Sequence, residues 1–458
     1  MPNVVAIRRA SALNRETGRI TTHPMKRNIY ASRIKKAFSL LRAAGRDEAL
    51  VLSCAPHAVR SRDVHFPYRQ NSDLFYFTGS HHPDLQLVMR PQAKEKLVLV
   101  APPRDPIVAV FEGDTPPLGP LARSIGASIR VSKDPYSTVR ELLKGAEVAH
   151  LQSVPGTISA EIRRELSTVS PVSRSSAHLP PRVVEAELLT ASLRCIKDAG
   201  EVAAIEQAAR LTSATLLHVA QYIRRGVRER EIAVLIDYLY RANDADSAFM
   251  PIVASGCSAA TLHYHAMTRT LRSGEMLLID TGCELNMYAC DITRTIPVDG
   301  TTTPELEAVY EIVLSAQRAA IKRIKPGVHI SAVFKAAATE LTLGLKELGV
   351  LRGKLSSLLA KGAFKPWFPH GIGHSIGIDV HDVSPNPGER LGILQPGMVI
   401  TIEPGLYFKK KVAQIPACGV RIEDEVLVTS KGHRVLTEDV FPKELDVVCD
   451  LLNSQGLQ

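Results

Sequence analysis

The sequence predicts an α/β amino-terminal domain followed by a larger α+β domain. Three observations carry that expectation. Short apolar runs alternate with helical patterns over the first third of the chain. A stretch rich in Ser and Pro at 170–182 interrupts the pattern. Beyond it, two long helical patterns lead into paired runs of β-branched residues.

Residues 28–45 place Ile34, Phe38 and Leu41 at helical spacing without Gly or Pro, and Gly45 ends the run. Strand-like runs follow at 49–52, 85–89 and 96–100, the last stopped by Pro102-Pro103. Helices are expected over 137–144 and 160–166. Asp198 can cap a long helix that continues to Arg225 before Gly226, and a second helix is expected over 229–242. The resulting division is a basic head at 1–27, an α/β domain at 28–182 and an α+β domain at 183–458.

With 458 residues, 45% hydrophobic and 22% charged, the composition is that of a globular protein and excludes a disordered or fibrous chain. No apolar run approaches the length of a membrane span, so none is expected. The net charge of +9 is concentrated: residues 1–45 hold ten bases and one acid, which leaves the remainder formally neutral. A nucleic-acid protein would spread its bases over a folded face, so no specific nucleic-acid partner is expected. The head is Arg-rich and acid-poor, as mitochondrial presequences are, and lacks the apolar core of a secretory signal. A cytoplasmic location is expected, with the mitochondrial matrix as the alternative. The seven cysteines form no C-x-x-C pair, consistent with a reducing compartment and no zinc knuckle.

Three segments concentrate chemistry. In the first, Asp280 and Asp291 lie in two strand-like runs around a turn-prone middle. If the chain folds back about Leu285-Asn286, the two carboxylates stand directly opposite each other and repel unless they share a proton or hold a cation. In the second, His370, His374 and His381 fall within twelve residues, among Gly371, Gly373 and Gly377. The glycines argue against a helix, and Ile378-Asp-Val-His reads as a strand where a dinucleotide-binding loop would need a helix. In the third, Glu403 and Glu423 each sit beside β-branched residues and would oppose each other if the chain reverses about position 413. Together Asp280, Asp291, His374, Glu403 and Glu423 offer four carboxylates and one imidazole. So anionic a set suits two divalent metals better than one, and its oxygen donors favour Mn²⁺, Fe²⁺ or Co²⁺ over a structural zinc.

The run from His370 to Asp382 resembles the signature of the proline peptidases and Xaa-Pro aminopeptidases (aminopeptidase P) of the pita-bread metallopeptidase family. The segments around Asp280, Asp291, Glu403 and Glu423 are similar to that family's other ligand segments, in order. Residues 61–79 resemble part of its amino-terminal domain. The resemblance implies a pita-bread catalytic domain (creatinase/aminopeptidase-like) that removes an N-terminal residue preceding proline by means of a hydroxide bridging two metals, Mn being favoured. It implies that Asp280 binds one metal, His374 and Glu403 the other, and that Asp291 and Glu423 bridge. Glu403 is also implied to take the proton of the attacking water, and His263 and His381 to act at the scissile bond as catalytic and substrate-binding residues. His370 would line the proline side, with Arg390 as a further substrate contact and Tyr407 nearby. Arg421 and Asp63 are expected to pair. Peptides beginning Xaa-Pro are the implied partners, and a dimer or tetramer is implied in which the amino-terminal domain helps close a neighbour's site. A prolidase restricted to dipeptides and a non-catalytic binding module are the alternatives.

Overall fold

Residues 28–176, 178–385, 391–438 and 441–455 are described by the structure, a computed structural model. The basic head at 1–27 and Arg390 lie outside the described residues. The described chain divides into two compact units that meet in sequence at Arg194/Cys195.

In the first unit, a mixed six-stranded sheet collects the short apolar runs. Its elements, in chain order, are α1 (Asn28–Ala43), β1 (Glu48–Ser53), β2 (Val59–Ser61), β3 (Val64–His65), α2 (Ser72–Thr78), β4 (Gln86–Met89), β5 (Leu97–Ala101), α3 (Pro106–Glu112), α4 (Leu118–Ile125), β6 (Ser128–Val131), α5 (Pro135–Leu142), β7 (Val148–Leu151), α6 (Ile158–Thr168), α7 (Pro171–Ser176), β8 (Arg182–Glu185) and α8 (Glu187–Arg194). The strand order is β6-β5-β4-β1-β7-β8. The central strands β1, β4, β5 and β7 are buried along their whole length, as strands covered on both faces must be, so they read as continuous apolar runs without alternation. The Ser/Pro-rich stretch at 170–182 is not a boundary. It holds α7 and leads into the edge strand β8, and the unit continues to Arg194, later than the 182/183 expected from sequence. The physical reason is a buried ion pair, Arg194 Nη1 to Asp73 Oδ1 at 2.8 Å, which ties α8 to α2. One helix stands apart: α3, capped by Asp105 with Pro106 in its first turn, buries no residue and exposes Ile107, Val108, Val110 and Phe111.

The second unit contains α9 (Ala199–Ala220), α10 (Glu229–Arg241), β9 (Asp246–Ser247), β10 (Ile252–Ser255), β11 (Met276–Thr281), β12 (Cys283–Leu285), β13 (Tyr288–Ala289), β14 (Ile292–Pro297), α11 (Pro304–Ile321), α12 (Ile330–Glu347), α13 (Leu355–Ala360), β15 (Val399–Ile402), β16 (Gly405–Phe408), β17 (Cys418–Arg421), β18 (Asp424–Val428), β19 (His433–Val435) and α14 (Leu445–Gln455). Asp198 caps α9 in a full capping box with Glu201, the N-terminal signal legible in the sequence. All strand pairs here are antiparallel. Helices α9 and α10 pack one apolar core with β11, β12 and β14; α11 and α12 pack a second with β15 to β18. This is the expected α+β architecture, and the two cores leave the strand faces between them to carry the polar residues of the site. Among the described residues, no helix is long and apolar enough to cross a membrane.

Candidate metal centre

Register decides which carboxylates meet. Asp280 pairs with Thr293 across β11 and β14, so Asp291 stands two residues from the directly opposed position. The fold-back about Leu285-Asn286 is therefore corrected. The turn residues are Asn286 and Met287, both at positive φ (52° and 68°), as a tight hairpin turn requires, and this moves the register by two. A shift of two keeps both aspartates on one face. Gly282 is needed at the crossing, because a Cβ there would collide with the Cys290 carbonyl. The other pair falls as position 413 requires. Ile402 opposes Asp424 and Gly405 opposes Arg421, so the same register places Glu403 across from Glu423, in the gap between the two ladders.

His374 arrives from a loop of bends. The run 378–381, expected as a strand, is not one: Gly377 N–H donates to Asp379 O and Asp382 N–H to Ser375 O, which curls the chain. The loop lies against β15, with Thr401 N–H donating to His374 O and His374 N–H to Thr401 Oγ1. A Cβ at Gly373 would strike the Thr401 carbonyl, so glycine permits this approach. Lys197 holds the loop from beneath: its buried Nζ reaches Asp382 Oδ2 at 2.9 Å and Ser375 Oγ at 3.3 Å.

Four carboxyls and one imidazole converge. His374 Nε2 lies 3.4 Å from Asp291 Oδ2 and 3.7 Å from Glu403 Oε1. Among the described residues, Asp291, His374 and Glu423 form a cluster whose donor atoms lie within 4.8 Å of one another. Asp280 Oδ2 accepts from Arg421 Nη2 at 2.5 Å, while the buried Asp280 Oδ1 and Asp291 Oδ1 have no hydrogen-bond partner. Glu423 Oε2 accepts from Thr293 Oγ1 at 2.6 Å, and Thr293 Oγ1 accepts from Arg421 Nε at 3.1 Å.

The electrostatics follow from crowding. Burial, then the charges of Glu423 and Asp280, push the Asp291 carboxyl far above its ordinary range. Burial, then Glu403 and Asp280, do the same to Glu423. Glu403 rises to about 7, burial and Asp280 outweighing the pull of Arg421. Burial and the neighbouring His381 lower His374 to about 4, so its imidazole is neutral at physiological pH. Its Nδ1 faces the Ser375 carbonyl at 3.1 Å, which can only accept, so that nitrogen carries the proton. Nε2 then presents a lone pair to two carboxylates. Nε2 lies 3.4 Å from Asp291 Oδ2, and Asp280 Oδ1 and Asp291 Oδ1 are buried without a partner; a divalent cation satisfies such a donor set. The residues fit divalent metal.

Around the cage, His370 donates from Nδ1 to Gly371 O at 2.8 Å and accepts at Nε2 from the Tyr407 hydroxyl at 2.9 Å. Tyr407 in turn accepts from Arg421 Nη1 at 3.0 Å. Burial, then Arg421, lower His370 to about 4, and His263 adds to that shift, which makes it an electrostatic neighbour. The His381 ring lies 4.2 Å from that of His374, edge-on. Both His263 and His381 are solvent-exposed. Arg421 engages Asp280, Tyr407 and Thr293, because a buried guanidinium needs buried acceptors. Sequence reasoning missed Thr293, Lys197 with Asp382, and Glu425, whose Oε1 accepts the Asp291 N–H at 2.8 Å. Only Thr293 had a signal, since it alternates with Asp291 on one strand face.

Comparison with known proteins agrees with this geometry. The family "Metallopeptidase family M24" matches residues 203–430, and "Aminopeptidase P, N-terminal domain" matches residues 30–150. The Xaa-Pro aminopeptidase of Haemophilus influenzae is 33% identical over 413 residues, covering 89% of this chain and 94% of that protein. The structure of Pseudomonas aeruginosa aminopeptidase PepP superposes with a TM-score of 0.88 at 32% identity, over 95% of this chain and all of that one. A zinc-substituted Escherichia coli aminopeptidase P in complex with product gives 0.87 at 29% identity, with the same coverage. With both family domains matched in order, and with this fold and donor set, the chain is a member of metallopeptidase family M24 with an aminopeptidase P amino-terminal domain.

Proposed function

We infer that this chain is a metal-dependent aminopeptidase that releases the first residue of peptides whose second residue is proline. The observation that carries the reading is the donor cage, in a chain whose relatives along almost their whole length are named for that activity. Asp280 would hold one divalent ion, His374 and Glu403 a second, with Asp291 and Glu423 shared; oxygen donors favour manganese. Bound there, the ions supply Lewis-acid polarisation of the scissile carbonyl and acidification of a water.

The chain's own residues do the rest. Glu403, raised to about 7 by burial, is placed to accept the water's proton. The exposed His263 would stabilise the charge that develops on the carbonyl oxygen. His381 stands beside His374, where it can hand a proton to the departing proline nitrogen. His370, fixed by Tyr407 and Gly371 O, would line the proline ring. Proline makes a dedicated site necessary, since its tertiary amide lacks the N–H that extended-backbone proteases grip. We also assign a homo-oligomer, on the apolar face of α3: Val110 and Phe111 are 81% and 80% exposed, in a helix that buries nothing.

The test is turnover of Xaa-Pro-Xaa peptides and Xaa-Pro dipeptides with added Mn²⁺, Co²⁺ or Zn²⁺. Tripeptide cleavage that disappears in Asp291→Ala supports the reading; cleavage of dipeptides alone makes the protein a prolidase; unchanged turnover by the variant overturns the cage.

A further inference from the structure

The segment from Thr261 to Arg269 bears His263 yet forms no helix or strand, so no ladder of backbone bonds aims that side chain. Anchors on either side must do so. Leu262 and Tyr264 pack against the cluster of Ile252, Ala254, Leu278 and Tyr407, while His263 and His265 are exposed. The segment thus alternates inward and outward like a strand, and seating Tyr264 inside obliges His263 to face out.

Tyr264 is seated by Glu229, the first residue of α10 and wholly buried. Four donors converge on that carboxyl. Ser255 N–H (2.7 Å) and Ser255 Oγ (2.8 Å) meet Oε1; Tyr264 Oη (3.0 Å) and Arg269 N–H (3.0 Å) meet Oε2. Backbone bonds add to the knot: Glu229 N–H donates to Arg269 O at 3.0 Å and Leu271 N–H to Val227 O at 2.8 Å. The Tyr264 oxygen also accepts from Thr268 N–H at 3.2 Å, closing the loop on itself. No cage donor takes part in this knot, so a buried acid with both oxygens satisfied does a separate task.

We propose that Glu229 and Tyr264 form a tether that aims His263 at the scissile bond, and that both are positioning residues for catalysis. The proposal rests on the role given to His263 above. Removing the Tyr264 hydroxyl frees the loop without opening a cavity, so Tyr264→Phe keeps the fold, whereas Glu229→Ala would bare four buried donors.

The experiment is a double-mutant cycle on the Mn²⁺-loaded protein. It compares His263→Ala, Tyr264→Phe, Glu229→Gln and Tyr264→Phe with His263→Ala, and reads kcat, KM, the Mn²⁺ dissociation constant and the metal-free melting temperature. We expect His263→Ala to lower kcat/KM about 100-fold. Tyr264→Phe should lower kcat about tenfold with KM and Mn²⁺ affinity held. In the His263→Ala background, Tyr264→Phe should change kcat by less than about twofold, because its target is gone. Glu229→Gln should follow Tyr264→Phe in direction. Full activity of Tyr264→Phe beside an impaired His263→Ala, or additive losses, overturns the tether alone. Full activity of His263→Ala overturns the role of His263 and the tether with it.

Discussion

Arg421 Nη2 stands 2.5 Å from Asp280 Oδ2, and the other donors of the same guanidinium reach Tyr407 and Thr293. One buried cation thereby fixes the Asp280 carboxylate, the hydroxyl that orients His370, and the hydroxyl that orients Glu423. Partners of this kind set ligand direction, and losing them weakens metal binding or activity about 10–100-fold. Arg421→Lys supplies the charge without the fork, so it should lose about tenfold or more in Mn²⁺ affinity and in kcat/KM. Calorimetric titration beside a peptide assay checks both, and wild-type affinity in the variant would show that Asp280 orients itself.

Crowded carboxyls destabilise the metal-free protein. Asp291 is raised by burial and by three acidic neighbours, Glu423, Asp280 and Glu403, so replacing it with the isosteric, neutral Asn relieves repulsion. Asp291→Asn should melt higher than wild type in EDTA, by about 2–4 °C for each kcal/mol relieved. With saturating Mn²⁺ the order should reverse. A pair of thermal scans decides it, and a variant less stable under both conditions contradicts the repulsive cage.

Proton linkage gives a second view of the same groups. The folded pKa of Glu403, about 7, exceeds that of the unfolded carboxyl near 4.5, and Asp291 and Glu423 are displaced in the same direction. Between those values the native state binds more protons than the unfolded chain, so metal-free stability falls as pH rises from about 4.5 toward 7. Divalent ions displace these protons, and affinity should therefore climb with pH through the same window. Calorimetry in buffers of different ionisation enthalpy should register proton release at pH 6.5; an enthalpy independent of buffer would refute it.

Asp424 behaves oppositely. Burial would raise it, but Arg294 and Lys443 outweigh that and hold it at about 2. Its depressed pKa contributes stability fully present above the unfolded value near 3.8 and lost as pH falls through about 2. Arg294 Nη2 at 2.8 Å, Gln317 Nε2 at 2.9 Å and Lys443 Nζ at 2.5 Å all converge on it. Asp424→Ala strands the buried Arg294 and the partly buried Lys443 and should cost about 3–5 kcal/mol in urea unfolding.

Association through α3 is testable apart from chemistry. Val110→Ser with Phe111→Ser removes most of the exposed apolar face, and light scattering should show a smaller species than wild type. An unchanged mass overturns association through α3.

What the sequence disclosed depended on periodicity. Glu403 and Glu423 were legible because each directly adjoins a β-branched strand of clear phase, and reversal about one midpoint places them opposite each other in the gap between the two ladders. The aspartate hairpin was legible in face but not in register, since Met287 is a poor advertisement for a left-handed turn position. The run 378–381 has the composition of a strand, yet the Asp382–Ser375 bond and the lysine beneath it impose a curl. Arg421 with Asp280, and Glu229 with Tyr264, are single residues joined across more than thirty positions of chain, and no local pattern announces such pairs.

Lys197 precedes the long helix α9, in a stretch that looks like dispensable linker, yet its side chain neutralises Asp382 from inside the protein. A recombinant fragment begun at Ala199 would therefore be missing a keystone: the acid next to His381 would be left interred without its counter-ion, at a cost of about 3–5 kcal/mol. Anyone dissecting the protein should cut upstream of Ile196, whose side chain also packs against the second core.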